Sequence, residues 1–132
     1  MRHIPGRRLR RLCTDRGSTT VEAAGYTMLM LLAILVAVQA GVWALADLSV
    51  RHAAHHGAQT ARVAGSSAEA GHEATADRLE AINPNGITGV NIGVERGPET
   101  TTVTVSGTVL RVIPLIDIPV RAQARAPTEP GT

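Results

Sequence analysis

Residues 23–46 carry no charged side chain, and this stretch constrains the fold more than any other part of the 132-residue sequence. An α-helix rises about 1.5 Å per residue, so these residues would extend about 36 Å as a helix. The hydrocarbon core of a bilayer is about 30 Å thick. The sequence therefore predicts one membrane-spanning helix, which we place at residues 18–46. Trp43 near one end is either an interfacial anchor or a packed side chain.

An acidic residue, Glu22, stands directly before the uncharged stretch. An ionised carboxylate at the edge of hydrocarbon costs a few kcal/mol unless it is paired or neutralised. One explanation is local, because an acid in the first turns of a helix interacts favourably with the helix dipole, and Ser18, Thr19 and Thr20 are all suitable N-caps. The other explanation is that Glu22 has a cationic partner that a single unprocessed chain does not supply.

Charge is distributed very unevenly along the chain. Residues 1–17 hold six arginines against one aspartate and carry +5, whereas residues 18–132 carry −3. Basic flanks favour the cytoplasmic side of a membrane, so we expect a cytoplasmic leader and an extracytoplasmic C-terminal region. Nucleic-acid binding is not predicted, since the basic excess is confined to this leader. The residues expected to set orientation are Arg7, Arg8, Arg10, Arg11 and Arg16.

The alanine-rich region 47–82 keeps a helical pattern after the predicted span and forms an amphipathic stalk. A narrow stripe of small residues would allow another element to approach closely. A break is expected near Gly65 or Gly71, and the turn signals of residues 83–86 end the helix. The stripe consists of Ala54, Ala58, Ala61, Gly65 and Ala68.

The hydrophobic period changes from 3.6 to 2 after this stop, which predicts strands over residues 87–126. Gly107 interrupts the alternation and suggests a bulge, and residues 127–132 are expected to be a disordered tail. We predict an α+β fold in which a long N-terminal helix is followed by a small three-stranded antiparallel sheet packed on the helix. The alternating apolar residues are Val90, Ile92, Val94, Val103, Val105, Val109, Val120, Ala122, Ala124 and Ala126.

Three processing schemes fit the N-terminal region. Signal peptidase could cut after Ala44-Leu45-Ala46 and release a secreted small β-containing binding module. The helix could instead remain as an uncleaved single-pass anchor. A third possibility is a cut after Gly17, on the cytoplasmic side of the span, and this scheme alone gives both Gly17 and Glu22 a purpose.

A basic leader ending in Gly17, followed by Ser18 and then by Glu22 immediately before the span, resembles the prepilins. The likeness is specifically to TadE-like pseudopilins of tight-adherence (Flp-type) pilus systems. It implies that a membrane-embedded aspartyl prepilin peptidase cuts after Gly17 and leaves Ser18 as the mature N-terminus. It also implies that Glu22 of an incoming subunit pairs with the terminal amine of a neighbouring pilin. Ala23 follows the glutamate where major Flp pilins have an aromatic residue, so we expect a minor subunit.

Other chemistry is weakly indicated. His52, His55 and His56 share one helix face at spacings that could hold a metal ion, but solvated residues near the membrane surface are the simpler interpretation. We predict no metal, no cofactor and no enzymatic activity. In the exported part Ser106 and Asp117 lack a basic partner in the sequence, and no cysteine is present.

Overall fold

The computed structural model describes residues 15–131, with side chains from residue 17 onward. The predicted α+β architecture of a long N-terminal helix and a three-stranded antiparallel sheet is confirmed. The chain divides into two compact units at Leu35 and Val36, inside the first helix, and each is described in turn. The elements are α1 (Asp15–Arg62), α2 (Ala68–Ile82), β1 (Ile87–Arg96), β2 (Thr100–Val109) and β3 (Pro119–Pro127).

The first unit is the N-terminal part of α1, which is helical from Asp15 to its end at Leu35. Its large apolar side chains are exposed all round the helix. In the described residues, α1 is the one helix long and apolar enough to cross a membrane, over Gly17–Arg62. The exposed apolar side chains are Val21, Tyr26, Met28, Leu29, Met30, Leu31, Leu32 and Ile34.

The second unit has its hydrophobic core between the C-terminal half of α1 and one face of the sheet. The α1 residues of this core recur every three or four positions, with Ala53 and Ala54 adjacent, so they form one stripe along the helix. All but one are alanines, and small side chains let the helix axis lie close to the strands. The core residues of α1 are Ala46, Val50, Ala53, Ala54 and Ala58.

The sheet follows the predicted alternation most closely in β2 and β3, which lie side by side in the strand order β1-β2-β3. Val103, Val105 and Val109 of β2 are buried, and their β2 neighbours at even-numbered positions are less so. On β3 the buried residues alternate with exposed Arg121, Gln123 and Arg125. The buried residues of β3 are Val120, Ala122, Ala124 and Ala126.

The irregularity expected at Gly107 lies on the neighbouring strand. The β1–β2 register shifts between Thr88 and Asn91, where β1 has one extra residue and Gly89 adopts a φ of 62°. Gly107 stands opposite this bulge, and a Cβ atom there would lie 3.2 Å from the Thr88 carbonyl oxygen. A glycine facing a bulge interrupts the apolar alternation just as a glycine within a bulge does.

The alanine-rich region 47–82 is divided between the end of α1 and α2. Between the two helices Gly65 has a φ of 80°, which glycine adopts without steric cost. Ser67 then caps α2, because its Oγ accepts a hydrogen bond from the Ala70 N–H at 3.1 Å. The predicted small-residue stripe is therefore continuous only as far as Ala61, and its last two members, Gly65 and Ala68, lie beyond the end of α1.

Arg96, at the end of β1, holds the connection between α1 and α2. Its guanidinium donates hydrogen bonds to the carbonyl oxygens of Ser66 at 2.7 Å and Val63 at 3.1 Å. A planar fork of donors suits this task, since two carbonyls can be bridged at once. One strand end thus fixes the turn that directs α2 back along the sheet.

The segment after β3 also contacts the end of α1. The Glu129 N–H donates to the Arg62 carbonyl oxygen at 2.9 Å, and its carboxylate forms an ion pair with the Arg62 side chain at 3.4 Å. The Thr128 N–H donates to the Glu99 carbonyl oxygen at 3.0 Å. Specific contacts therefore continue past the boundary at residue 126 drawn from the sequence.

Candidate functional site

Gly17 and Ser18, the expected scissile pair, lie in the first turn of α1 and are exposed. A Cβ atom at Gly17 would meet nothing within 4 Å, so the described residues leave open space on that side. Glu22 follows Ser18 by four residues, which puts both on the same face one turn apart. The helical backbone thus brings Ser18 and Glu22 together along one edge of the helix.

Glu22 has a neighbour that the sequence analysis did not identify. The hydroxyl of Tyr26 donates a hydrogen bond to Glu22 Oε1 at 3.3 Å, and both side chains are exposed. The four-residue spacing is the signal that could have revealed this contact, because such residues are neighbours on a helix surface. A phenol is a neutral donor, so it orients the carboxylate without cancelling its charge.

Of the five arginines expected to set the orientation, only Arg16 has its backbone among the described residues. Arg7, Arg8, Arg10 and Arg11 lie outside the described residues. Arg16 belongs to the first turn of α1 by its backbone, and its side chain lies outside the described part of the chain. Their role in orientation stays a prediction.

Gln39 is the strongly polar residue in the middle of the apolar α1 stretch, and its environment explains its presence. Its side chain is only 6% exposed. Its Oε1 accepts hydrogen bonds from the backbone N–H groups of Val112 at 2.8 Å and Ile113 at 3.1 Å. These two donors belong to the segment of residues 110–118 that joins β2 to β3, here called the β2–β3 loop. Sequence reasoning missed this contact because the partners are more than 70 residues apart.

The Ala44-Leu45-Ala46 segment lies inside α1, and Ala46 is completely buried in the core. Val42, on the N-terminal side of the segment, is half-buried and packs against the same core. Residues on both sides of the Ala46–Asp47 bond therefore hold the sheet to the helix. A cut after Ala46 would separate them.

The three stalk histidines do not form a metal-binding cluster among the described residues. His52, His55 and His56 are exposed on α1, on the side away from the buried stripe. Within the described part of the chain, no three His, Cys, Asp or Glu residues are grouped so as to hold a metal ion. Their nearest buried neighbours, Ala53 and Ala54, face the sheet core instead.

A family model described as TadE-like protein matches residues 17–59, about a third of the chain and all of it within α1. Comparisons with curated proteins and with solved structures gave no match. TadE-like pilins are a structural, non-enzymatic family, and one apolar N-terminal helix fits a single-pass membrane protein of a pilus system. The resemblance inferred from Gly17, Ser18 and Glu22 is thus confirmed over residues 17–59, where the chain is similar to the TadE-like family.

Proposed function

We propose that this chain is a membrane-inserted pseudopilin that a prepilin peptidase processes after Gly17. The mature protein takes part in assembling a tight-adherence type pilus or a related secretion apparatus. The observation that carries this proposal is the TadE-like match, which begins at Gly17 and includes Glu22 and the apolar stretch. The exposed apolar surface of α1 before Leu35 supports it, because such a surface requires lipid or other helices around it.

Glu22 is the assembly residue of this proposal. Cleavage after Gly17 creates an α-amino group on Ser18, which is mostly protonated at neutral pH. In hydrocarbon an unpaired carboxylate and an unpaired ammonium are both costly, so each is stabilised by pairing with the other. Glu22 of one subunit pairs with Ser18 of its neighbour, and this ion pair sets the axial register between the two helices.

The proposed topology follows from the charge distribution. The basic leader, including Arg7, Arg8, Arg10, Arg11 and Arg16, stays in the cytoplasm, and the sheet lies outside. The leader must remain accessible to a peptidase whose active site is on the cytoplasmic face. The partners are therefore the bilayer, the prepilin peptidase and other pilins or pilus-machine components.

N-terminal mass analysis of the protein from its native host tests the proposal. An N-terminus at Ser18 supports processing as a pseudopilin. An N-terminus at Asp47 would show a secreted module, and an intact leader would show an uncleaved anchor; either result overturns the proposal. The burial of Ala46 argues against the secreted module, since release there would remove Gln39 and Val42 from the sheet they support.

The processing step has a matched pair of variants. Gly17→Val is expected to block cleavage, because a branched side chain replaces the glycine before the scissile bond. Gly25→Val is the control, since Gly25 also lies in α1 with nothing within 4 Å of its Cβ position. Co-expression of each variant with the host peptidase, followed by mass analysis, should give a processed Gly25→Val and an unprocessed Gly17→Val. Equal processing of both would contradict a cut after Gly17.

A further inference from the structure

The β2–β3 loop presents an apolar tip above a polar base. Arg111 and Asp117 form an ion pair at 2.8 Å and close the loop, so Asp117 has a basic partner that the sequence analysis did not expect. The residues between them, 112–116, read Val-Ile-Pro-Leu-Ile and carry no charge. A surface loop of a water-soluble domain usually carries polar residues at its tip, so this composition calls for an explanation.

The exposed apolar residues of the tip are directed outward by the backbone. Leu115 is 95% exposed and has a φ of 72°, a conformation that is uncommon for residues other than glycine. Ile116 is also about half exposed. Leu115 thus points an apolar side chain away from the core at some conformational cost. Such a conformation persists where surrounding contacts hold it, and here the Gln39 hydrogen bonds and the Arg111–Asp117 ion pair hold the loop on either side of Leu115.

Gln39 attaches the loop to α1 at a defined position. Its side-chain oxygen accepts both the Val112 and the Ile113 N–H groups. Away from water, backbone donors that lack a ladder partner are stable only when the protein itself supplies an acceptor. This arrangement satisfies two loop amides and the buried Oε1 of Gln39 without water.

The attachment point lies where the membrane surface is expected. A hydrocarbon core takes about 20 helical residues. Counted along the sequence from Ala23, the first residue of the uncharged stretch, it ends close to Val42. The loop packs beside this level, where Ile113 and Ile118 line an open apolar groove of about 370 Å³ with Val36, Ala40 and Trp43 of α1.

We propose that the tip of the β2–β3 loop inserts into the bilayer leaflet nearest the sheet and fixes the depth of the helix. Leu115 and Ile116 enter the upper acyl region, and Arg111 and Asp117 stay at headgroup level. Trp43 lies at the same interface, where aromatic side chains are enriched. Val36 of α1 is about half exposed and lines the same groove as Ile113 and Ile118, so the loop and the helix present apolar surface side by side. This inference rests on the membrane insertion included in the proposed function.

Depth-dependent fluorescence quenching tests the proposal with the full chain in phospholipid vesicles. Tryptophan is introduced at one position at a time in a Trp43→Phe background, because Trp43 is the single tryptophan of the sequence. The three probes are Leu115→Trp in the loop, Leu31→Trp in the span, and Arg125→Trp on the exposed face of β3. Lipids brominated near the headgroup and lipids brominated deep in the acyl chains serve as quenchers. Circular dichroism checks that each variant keeps its fold, and all three sites are exposed.

We expect the Leu115→Trp emission to be blue-shifted and to be quenched more by shallow than by deep bromines. Leu31→Trp should be quenched mainly by deep bromines, and Arg125→Trp by neither. Unquenched, red-shifted emission from Leu115→Trp, with Leu31→Trp still quenched, would overturn the loop proposal alone. A blue-shifted but unquenched Leu115→Trp would also overturn it, since the loop would then be covered by protein. Loss of quenching at Leu31→Trp would overturn membrane insertion itself.

Discussion

The Tyr26 hydroxyl donates a hydrogen bond to Glu22 Oε1 at 3.3 Å across one turn of α1. This contact holds the carboxylate on the helix face that also carries Ser18, which lies one turn nearer the N-terminus than Glu22. The bond is long and both groups are exposed, so it adds little to stability on its own. In the proposed assembly, a carboxylate already directed along this face would lose slightly less side-chain freedom on pairing with a cation, which is a smaller effect than that of its charge.

Replacing Glu22 by glutamine should separate processing from assembly. Glu22→Gln keeps the shape and the hydrogen-bond acceptor for Tyr26 but removes the charge that, in the proposed assembly, pairs with the Ser18 amine of a neighbouring subunit. Losing one partner of a desolvated ion pair costs about 2 kcal/mol or more, which corresponds to a loss of incorporation of about thirtyfold or more. Quantitative immunoblotting of sheared pili or of the isolated assembly complex measures incorporation, and N-terminal mass analysis measures cleavage.

Tyr26→Phe is the matched control for this experiment. It removes the hydroxyl that contacts Glu22 and retains both the charge and the ring. Incorporation should stay close to the wild-type level, with cleavage unchanged. A Glu22→Gln variant that assembles as well as Tyr26→Phe would show that the charge has no assembly role. The helix-dipole explanation does not fit the structure, because α1 is already helical at Asp15, so Ser18 lies inside the helix and Glu22 lies beyond its first turn.

Gln39→Leu should loosen the β2–β3 loop. The leucine fills a similar volume but offers no acceptor, so the N–H groups of Val112 and Ile113 lose their partner. An orphaned donor away from water costs about 1–3 kcal/mol. Hydrogen exchange of these two amides in the membrane-reconstituted protein should therefore accelerate by about tenfold or more.

The exchange measurement has internal references in the sheet. The amides of Val103 and Val105 lie in the central strand, outside the loop, and should keep their protection. Gln39→Glu is a second comparison, because it restores an acceptor oxygen at the same position. Unchanged exchange at residues 112 and 113 in Gln39→Leu would mean that the loop is held by its apolar packing alone.

The elements that have a periodic pattern of apolar and polar residues were predictable from the sequence. Val120, Ala122, Ala124 and Ala126 alternate with polar residues, and a half-buried strand has only one way to orient such a pattern. The long helix was equally clear, because an uncharged stretch of this length has few alternatives.

Single contacts between residues far apart in the sequence were not predictable, because they leave no repeating pattern. Gln39 stood out as a polar residue in an apolar stretch, but nothing in the sequence pairs it with a loop more than 70 residues away. Gly107 indicated an irregularity in the sheet but did not indicate which strand would carry the extra residue. The roles of Gly17 and Glu22 come from a short motif, and their test lies in processing and assembly rather than in the fold.

Arg96→Ala should destabilise the connection between α1 and α2. The substitution removes the hydrogen bonds to the carbonyl oxygens of Ser66 and Val63. Hydrogen bonds from a charged donor contribute about 1.5–3 kcal/mol, and partial exposure places the expected loss in the free energy of unfolding near about 2 kcal/mol. Denaturant unfolding in detergent micelles, followed by circular dichroism, measures this loss.

Arg96→Lys distinguishes geometry from charge. A lysine ammonium keeps the positive charge but cannot bridge two carbonyls with a rigid fork. The lysine variant should therefore recover less than half of the stability lost in Arg96→Ala. Full recovery would show that charge alone holds the turn, and no loss in either variant would show that the two hydrogen bonds contribute nothing net.

Gly57→Ala should destabilise the packing of α2 on α1, because the two helix backbones meet at Gly57 and Gly71. An added Cβ at Gly57 would overlap Thr75 Oγ1 and lie 2.9 Å from the Gly71 carbonyl oxygen. Overpacking of this kind costs about 1–3 kcal/mol, and backbone atoms cannot move aside as the end of a flexible side chain can. The control is Gly41→Ala in the same helix, where nothing lies within 4 Å of the added Cβ. Alanine is the better helix former by about 0.5–1 kcal/mol, so Gly41→Ala should stabilise the chain while Gly57→Ala destabilises it. The change in unfolding free energy that each substitution causes is measured in the same detergent. Changes of the same sign in both variants would contradict a close backbone contact at Gly57.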